Sequence, residues 1–223
     1  MSVLAPLLDK LDFIRWFYET ASAPFAETIR KIEMHEEPYS QSSVEDEEPR
    51  FLLEHEEATD ALNILGKSCI CLLQNSFRNY LTGFVENYAY RTSGDETGRS
   101  TLNKGNWFKN HKEFFLRMYG IDWDNSPVDT SLLEEIAFVR NDVQHGGTFY
   151  SLEHHQNAEY FNRFPSSIFA DEWEREFLVY SDERRSVRIT ITKDNLLSAI
   201  QVIEDFCSYL DADWWEPSSP QPS

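Results

Sequence analysis

Arg140, Asn141, Asp142, Val143, Gln144 and His145, followed directly by Gly146 and Gly147, are the residues of this chain whose types and spacing could do chemistry. A guanidinium can hold two phosphate oxygens at once, and an imidazole can take or release a proton near neutral pH. Set five positions apart at the end of a helix, the two groups can serve one phosphodiester. The reaction that fits them is metal-independent cleavage of RNA, with the arginine gripping phosphate and the histidine moving a proton. Spacing alone does not select this site, because Arg30 with His35 and Arg50 with His55 repeat it. Context does. A polar Asn141 follows the arginine, an apolar helix leads in, and a glycine pair stops the helix directly behind His145.

The helix that must position these residues is predicted to start near Pro127, with Asp129 or Thr130 as its cap. On a helical wheel Leu132, Ile136, Val139 and Val143 fall in one sector, which must face the core. Asn141 and His145 lie four apart on another face, shared with Glu134 and Phe138. A phenylalanine on a face otherwise made for water implies a cover, and a second subunit is the expected one. Arg140 projects from the flank between the two faces. The alternative reading pairs Arg140 with Glu134 or Asp142 and leaves His145 to cap the helix end.

Composition narrows the classes. The 223 residues are 41% hydrophobic and 14% aromatic, enough for one sizeable core, so a single domain over 1–216 with a disordered tail over 217–223 is expected. No run of about 18 apolar residues occurs, and the start of the chain has acidic and aromatic residues where a secretion signal needs a basic start and an apolar stretch, so no membrane association and a cytoplasmic location are expected. The three cysteines, Cys69, Cys71 and Cys207, form no spaced pairs and read as buried thiols; no metal site and no cofactor are expected. A net charge of -19 argues against a protein that coats nucleic acid nonspecifically. A local basic stretch remains possible: Arg99, Lys104, Lys109, Lys112 and Arg117 face only Glu113 in sequence. Of these, Lys104, Lys109, Lys112 and Arg117 are the candidate RNA-binding residues, though a solvated helix face is the plainer reading of such a run.

Periodicity sketches the rest. Residues 4–36 carry Leu7, Leu8, Leu11, Ile14, Phe17 and Tyr18 at three- and four-residue steps and predict two helices, or one kinked at Pro24. The acidic, proline-containing stretch 37–50 reads as a loop. A helical pattern then spans 51–90, long enough that a break near Gly66 or Gly83 is expected. After a polar loop over 92–105, Trp107 to Met118 mark a short helix ended by Gly120. Two strand-like runs, 177–180 and 187–191, flank Asp182, Glu183, Arg184 and Arg185 and predict a small inserted β-hairpin over about 176–191. Thr192 or Asp194 caps a last amphipathic helix with Leu196, Leu197, Ile200, Ile203 and Phe206 as its stripe.

Four weaker signals carry no function. Gly66-Lys67-Ser68 lacks the earlier glycine of a phosphate loop, since Ala61 stands there. The adjacent His154 and His155 point apart on regular structure, and Asp122 and Asp124 read as turn caps. Trp214 and Trp215 read as an apolar lid over the helices.

The string Arg140-Asn141-Asp142-Val143-Gln144-His145, late in a helix of a mainly α chain, resembles the signature of the HEPN superfamily, the higher eukaryotes and prokaryotes nucleotide-binding domain. That signature is an arginine, a polar residue that is often asparagine, aspartate or histidine, three to five more residues, and a histidine. The resemblance covers about 51–145 and the closing helix 194–210. It implies a HEPN-like helical bundle that forms a homodimer along the motif helices and brings two Arg-His sets into one cleft. It further implies a metal-independent endoribonuclease, with a role as a toxin or in defence. Arg140 would hold the scissile phosphate, His145 would act as acid or base, and Asn141 would orient either. RNA and a protein antitoxin are the partners so implied. Other members of the family are noncatalytic modules that bind a protein or a nucleotide. In one branch a tyrosine two residues after the histidine is modified by a partner enzyme; here Gly147 stands at that position, and Tyr150 is the nearest tyrosine.

Overall fold

Apolar residues at helical spacing become five long helices and one short one in the computed structural model, which describes residues 3–40, 51–87, 102, 104–145, 155–156, 158–170 and 187–215. They are α1 (Leu4–Glu33), α2 (Leu52–Asn87), α3 (Trp107–Tyr119), α4 (Thr130–His145), α5 (Ala158–Arg163) and α6 (Lys193–Trp215). Two strands of two residues each, β1 (His155–Gln156) and β2 (Val187–Arg188), pair antiparallel. The chain is mainly α and forms a helical bundle. α1 runs along α2, α6 packs against α1, α2 and α4, and α4 also lies on α2. Among the described residues no helix is long and apolar enough to cross a membrane.

α1 is one helix rather than two. Pro24 lies inside it, and the carbonyl of Thr20 that Pro24 leaves without a donor sits on the exposed side, where water can take it. The buried stripe is Leu7, Leu11, Ile14 and Tyr18, all ahead of the proline. α2 corrects a second expectation, for it runs unbroken through both Gly66 and Gly83 over 36 residues. Gly66 is there for close packing. A Cβ on it would stand 2.5 Å from the carbonyl oxygen of Ile191, in the connection that leads into α6. The backbone of that connection lies against α2, and the amide of Ile191 donates to the Asn63 side chain at 3.4 Å.

The buried apolar residues form one continuous cluster. At its centre Trp123, fully buried in a short 3-10 turn (Trp123–Asn125), makes edge-on ring contacts with Phe108, Phe115 and Phe206 at 5.3, 5.5 and 4.9 Å. Helix ends follow local chemistry. Gly120 closes α3 in the left-handed conformation at φ 71°, Asp129 accepts from the amide of Ser131 at 2.9 Å at the start of α4, and Thr192 accepts from Asn195 at 3.2 Å at the start of α6. The α6 stripe is Leu196, Ala199, Ile200, Ile203, Phe206, Cys207 and Leu210, with Leu197 only half-buried. Of the expected hairpin, β2 lies within the run 187–191 and pairs with β1; the run 177–180 and its turn lie outside the described residues, as do the side chains of Trp214 and Trp215 and the tail.

The two α2 glycines give opposite expectations for alanine. Gly66→Ala should lower unfolding free energy by about 1–3 kcal/mol, since the methyl group meets fixed backbone at Ile191 and overpacking outweighs the gain in helix propensity. Gly83→Ala, whose methyl would meet only the Val3 side chain at 3.2 Å near the chain start, should leave stability unchanged or raise it by up to about 1 kcal/mol. Urea unfolding followed by circular dichroism measures both.

Candidate functional site

The motif helix α4 is buried on a broader front than a single stripe. Leu133, Glu135, Ile136, Ala137 and Val139 are buried, while Leu132 and Val143 are only half-buried. The expected core sector is therefore rotated, because α4 is packed on two sides. One side meets α2 and α6. The other meets residues 158–170, where the Phe138 ring lies 5.5 Å from Tyr160 and 5.6 Å from Phe164. Phe138 thus finds its cover within its own chain, which removes the observation that called for a second subunit over it. The Tyr160 hydroxyl donates to the buried Glu135 carboxylate and lies 3.2 Å from the Ser167 hydroxyl. Burial, followed by the Glu135 charge, pushes the Tyr160 phenol well above its ordinary range.

The structure brings Arg140 and Asn141 together. Arg140 Nη1 donates to Asn141 Oδ1 at 2.9 Å, Arg140 Nε is buried without a partner among the described residues, and Nη2 is likewise unengaged there. Neither Glu134 nor Asp142 pairs with Arg140; Glu134 instead binds Arg163 at 2.6 Å. The Arg140 guanidinium lies within electrostatic reach of Cys71 on α2: burial pushes the Cys71 thiol up, and the Arg140 charge opposes that shift. His145 is the last residue of α4, and its side chain lies outside the described residues.

Two adjoining hollows open beside the motif. The larger, about 520 Å³, runs between α3 and the first turns of α4 and is lined by Lys109, Lys112, Glu113, Leu116, Asp122, Asp124 and Glu134 among others. The smaller, about 190 Å³, shares Asn106, Phe108 and Glu134 with it and continues to Phe138, Asn141 and Arg163. Of the expected basic residues, Lys109 and Lys112 line this groove. Lys104 and Arg117 are exposed but do not line it, and Arg117 lies 5.9 Å from the Phe114 ring. Each groove cation already has a carboxylate: Lys109 with Glu113 at 3.7 Å, Lys112 with Asp124 at 2.7 Å, and Arg163 with Glu134. Lys112, followed by Thr130, holds the Asp124 carboxyl below its ordinary range. Among the described residues no group of three or more His, Cys, Asp or Glu side chains is arranged to hold a metal ion.

Sequence reasoning missed Arg163. It stands 5.5 Å over the Phe138 ring and 5.2 Å over Phe164, at the lip of the smaller hollow. Its signal was the aromatic run Tyr160-Phe161-Asn162-Arg163-Phe164, too dense in rings for a solvated loop. His111 was missed as well. Its Nδ1 donates to the Trp107 carbonyl at 2.8 Å, since a carbonyl can only accept, and its Nε2 is buried with no partner among the described residues.

Comparison with known proteins finds no family model, no curated protein and no solved structure that matches this chain.

The buried His111 generates a stability prediction. Burial depresses its pKa, the Arg78 charge adds to that, and the Trp107 carbonyl opposes it. Unfolded, the imidazole protonates at its ordinary 6.5; folded, it resists. Its contribution to stability is therefore complete above pH 6.5 and is lost as pH falls through that value toward the depressed one. Urea midpoints between pH 7.5 and 5 should fall more steeply for the unaltered chain than for His111→Asn, which keeps a donor for Trp107. Parallel slopes would place the histidine's titration elsewhere.

Proposed function

We propose that this chain is a HEPN-type, metal-independent endoribonuclease, with Arg140, Asn141 and His145 at its centre. The observation that carries the reading is the Arg140–Asn141 pair at the end of α4, beside a groove lined by Lys109, Lys112 and Arg163. Arginine side chains rarely spend a buried Nε on nothing. Here the bond from Nη1 to Asn141 leaves Nη2 and the second N–H of Nη1 as donors for phosphate oxygens, on a guanidinium oriented by Asn141.

The chemistry follows from that position. The 2′-hydroxyl of the ribose attacks the adjacent phosphorus, His145 takes the hydroxyl proton or gives one to the departing 5′ oxygen, and Arg140 offsets charge gathering on the phosphate. The bond from phosphorus to the 5′ oxygen breaks, leaving a 2′,3′-cyclic phosphate and a 5′-hydroxyl. The groove carboxylates do not forbid RNA. Exposed ion pairs such as Lys109–Glu113 contribute about 0–1 kcal/mol, so phosphates can replace them. Two copies meeting near Asn141 and Gln144, the exposed side chains of α4 among the described residues, would set two such centres side by side.

A second reading, a noncatalytic module that binds a protein or nucleotide, is favoured by the pairing of all three groove cations with carboxylates.

Arg140→Ala and His145→Ala should each lower cleavage of a single-stranded RNA by about 10²–10⁴-fold. Activity of the unaltered chain should persist in excess chelator, and a 2′-deoxyribose at the cleaved linkage should block it. Undiminished cleavage by either variant, or activity lost on chelation and restored by a divalent ion, would remove the proposal.

A further inference from the structure

We infer that the 190 Å³ hollow beside Asn141 is a nucleobase subsite that selects guanine, a proposal that rests on reading the end of α4 as an RNA site. Its walls are aromatic, Phe108 from α3 and Phe138 from α4. Phe108 is buried and Arg163 already lies over Phe138 at 5.5 Å, so the guanidinium plane of Arg163 is the surface on which a base splayed from a single strand would stack.

The polar groups of the hollow are arranged unevenly. Asn106 Oδ1 is spent on the amide of Lys109 at 3.1 Å, and Asn141 Oδ1 on Arg140 at 2.9 Å. Each carboxamide oxygen thus already accepts one bond while the nitrogen keeps both of its N–H groups, and neither nitrogen has a partner among the described residues. Two donors thus line a hollow whose one carboxylate is Glu134, held in place by Arg163. Guanine meets this set. Its O6 and N7 accept from amide nitrogens, and its N1–H and N2–H groups lie side by side for one carboxylate. Adenine would turn the lone pair of its N1 toward Glu134 and leave that carboxylate facing an acceptor, a mismatch that costs more than a missing bond. Uracil and cytosine offer the carboxylate no such pair of parallel donors.

Sequence expectations did not reach this site, because Glu134 and Asn141 belong to the motif helix whereas Arg163 and Asn106 come from two other segments.

Calorimetric titration of the full chain with guanosine, adenosine, cytidine and uridine 5′-monophosphates, at one salt concentration, tests the subsite without any turnover. Guanosine monophosphate should bind at least about tenfold more tightly than the other three. Glu134→Gln, which replaces an acceptor by a donor at the same size, should abolish that preference. Equal affinity for the four nucleotides, saturation by none of them, or a preference untouched in Glu134→Gln would overturn the proposal. The four-way comparison on the unaltered chain decides the matter even if the variant folds poorly. RNA cleavage without base preference at the cut would remove the subsite and leave the nuclease reading standing. Selective guanosine monophosphate binding in a chain that cuts no RNA would do the reverse.

Discussion

A carboxylate buried on the motif helix is the constraint on which the site depends. Glu135 is 1% exposed, and an ionised group so far from water must be met by hydrogen bonds or give up its charge. Tyr160 supplies one, and Tyr160 is itself packed against Phe138 and Phe164 while its hydroxyl reaches Ser167. Residues 158–170 are thereby fixed on α4 in one register. That register sets Arg163 against Glu134 and over Phe138, and so closes the hollow that Asn141 lines. The polar contact selects the register, and the surrounding rings supply the burial that makes it worth holding.

The same clamp explains the orientation of α4. A helix with one buried stripe can roll on its neighbour. A helix held between α2 and α6 on one side and the Tyr160 cluster on the other has two lines of contact and cannot turn without breaking one. Arg140 then falls at the junction, with its guanidinium bonded to Asn141 and within electrostatic reach of Cys71 on α2. Charge is managed locally as well. Despite the net -19, the three cations along the groove, Lys109, Lys112 and Arg163, are each paired with a carboxylate, so the surface offers exchangeable cations rather than a standing positive field.

Much of the scaffold was legible because its signals are local. Gly120 stops α3 through its left-handed conformation, Asp129 and Thr192 cap the helices they precede, and the α6 stripe follows simple periodicity. The shared face of Glu134, Phe138 and Asn141 was visible on a helical wheel for the same reason. What escaped is non-local. Gly66 looks like a helix break until Ile191, far along the chain, is laid against it. Phe138 looks like an interface residue until Phe164 covers it, and the burial of Glu135 against Tyr160 has no local signal at all. Gly66 and Phe138 each broke a local rule, and each did so because a distant segment compensated.

The central claim is that single-stranded RNA lies along the groove between α3 and α4 and reaches the end of the motif helix. Photocrosslinking measures this directly, using an RNA oligonucleotide with 2′-deoxyribose only at the cleaved linkage so that it binds without being cut, and thiolated uracil or guanine as the reactive base. Mass spectrometry should place the crosslinks on peptides containing residues 104–117, 134–145 and 158–164, with unlabelled RNA competing for them. Crosslinks gathered instead on the exposed Phe13 and Trp16 of α1, or none above background, would contradict the account.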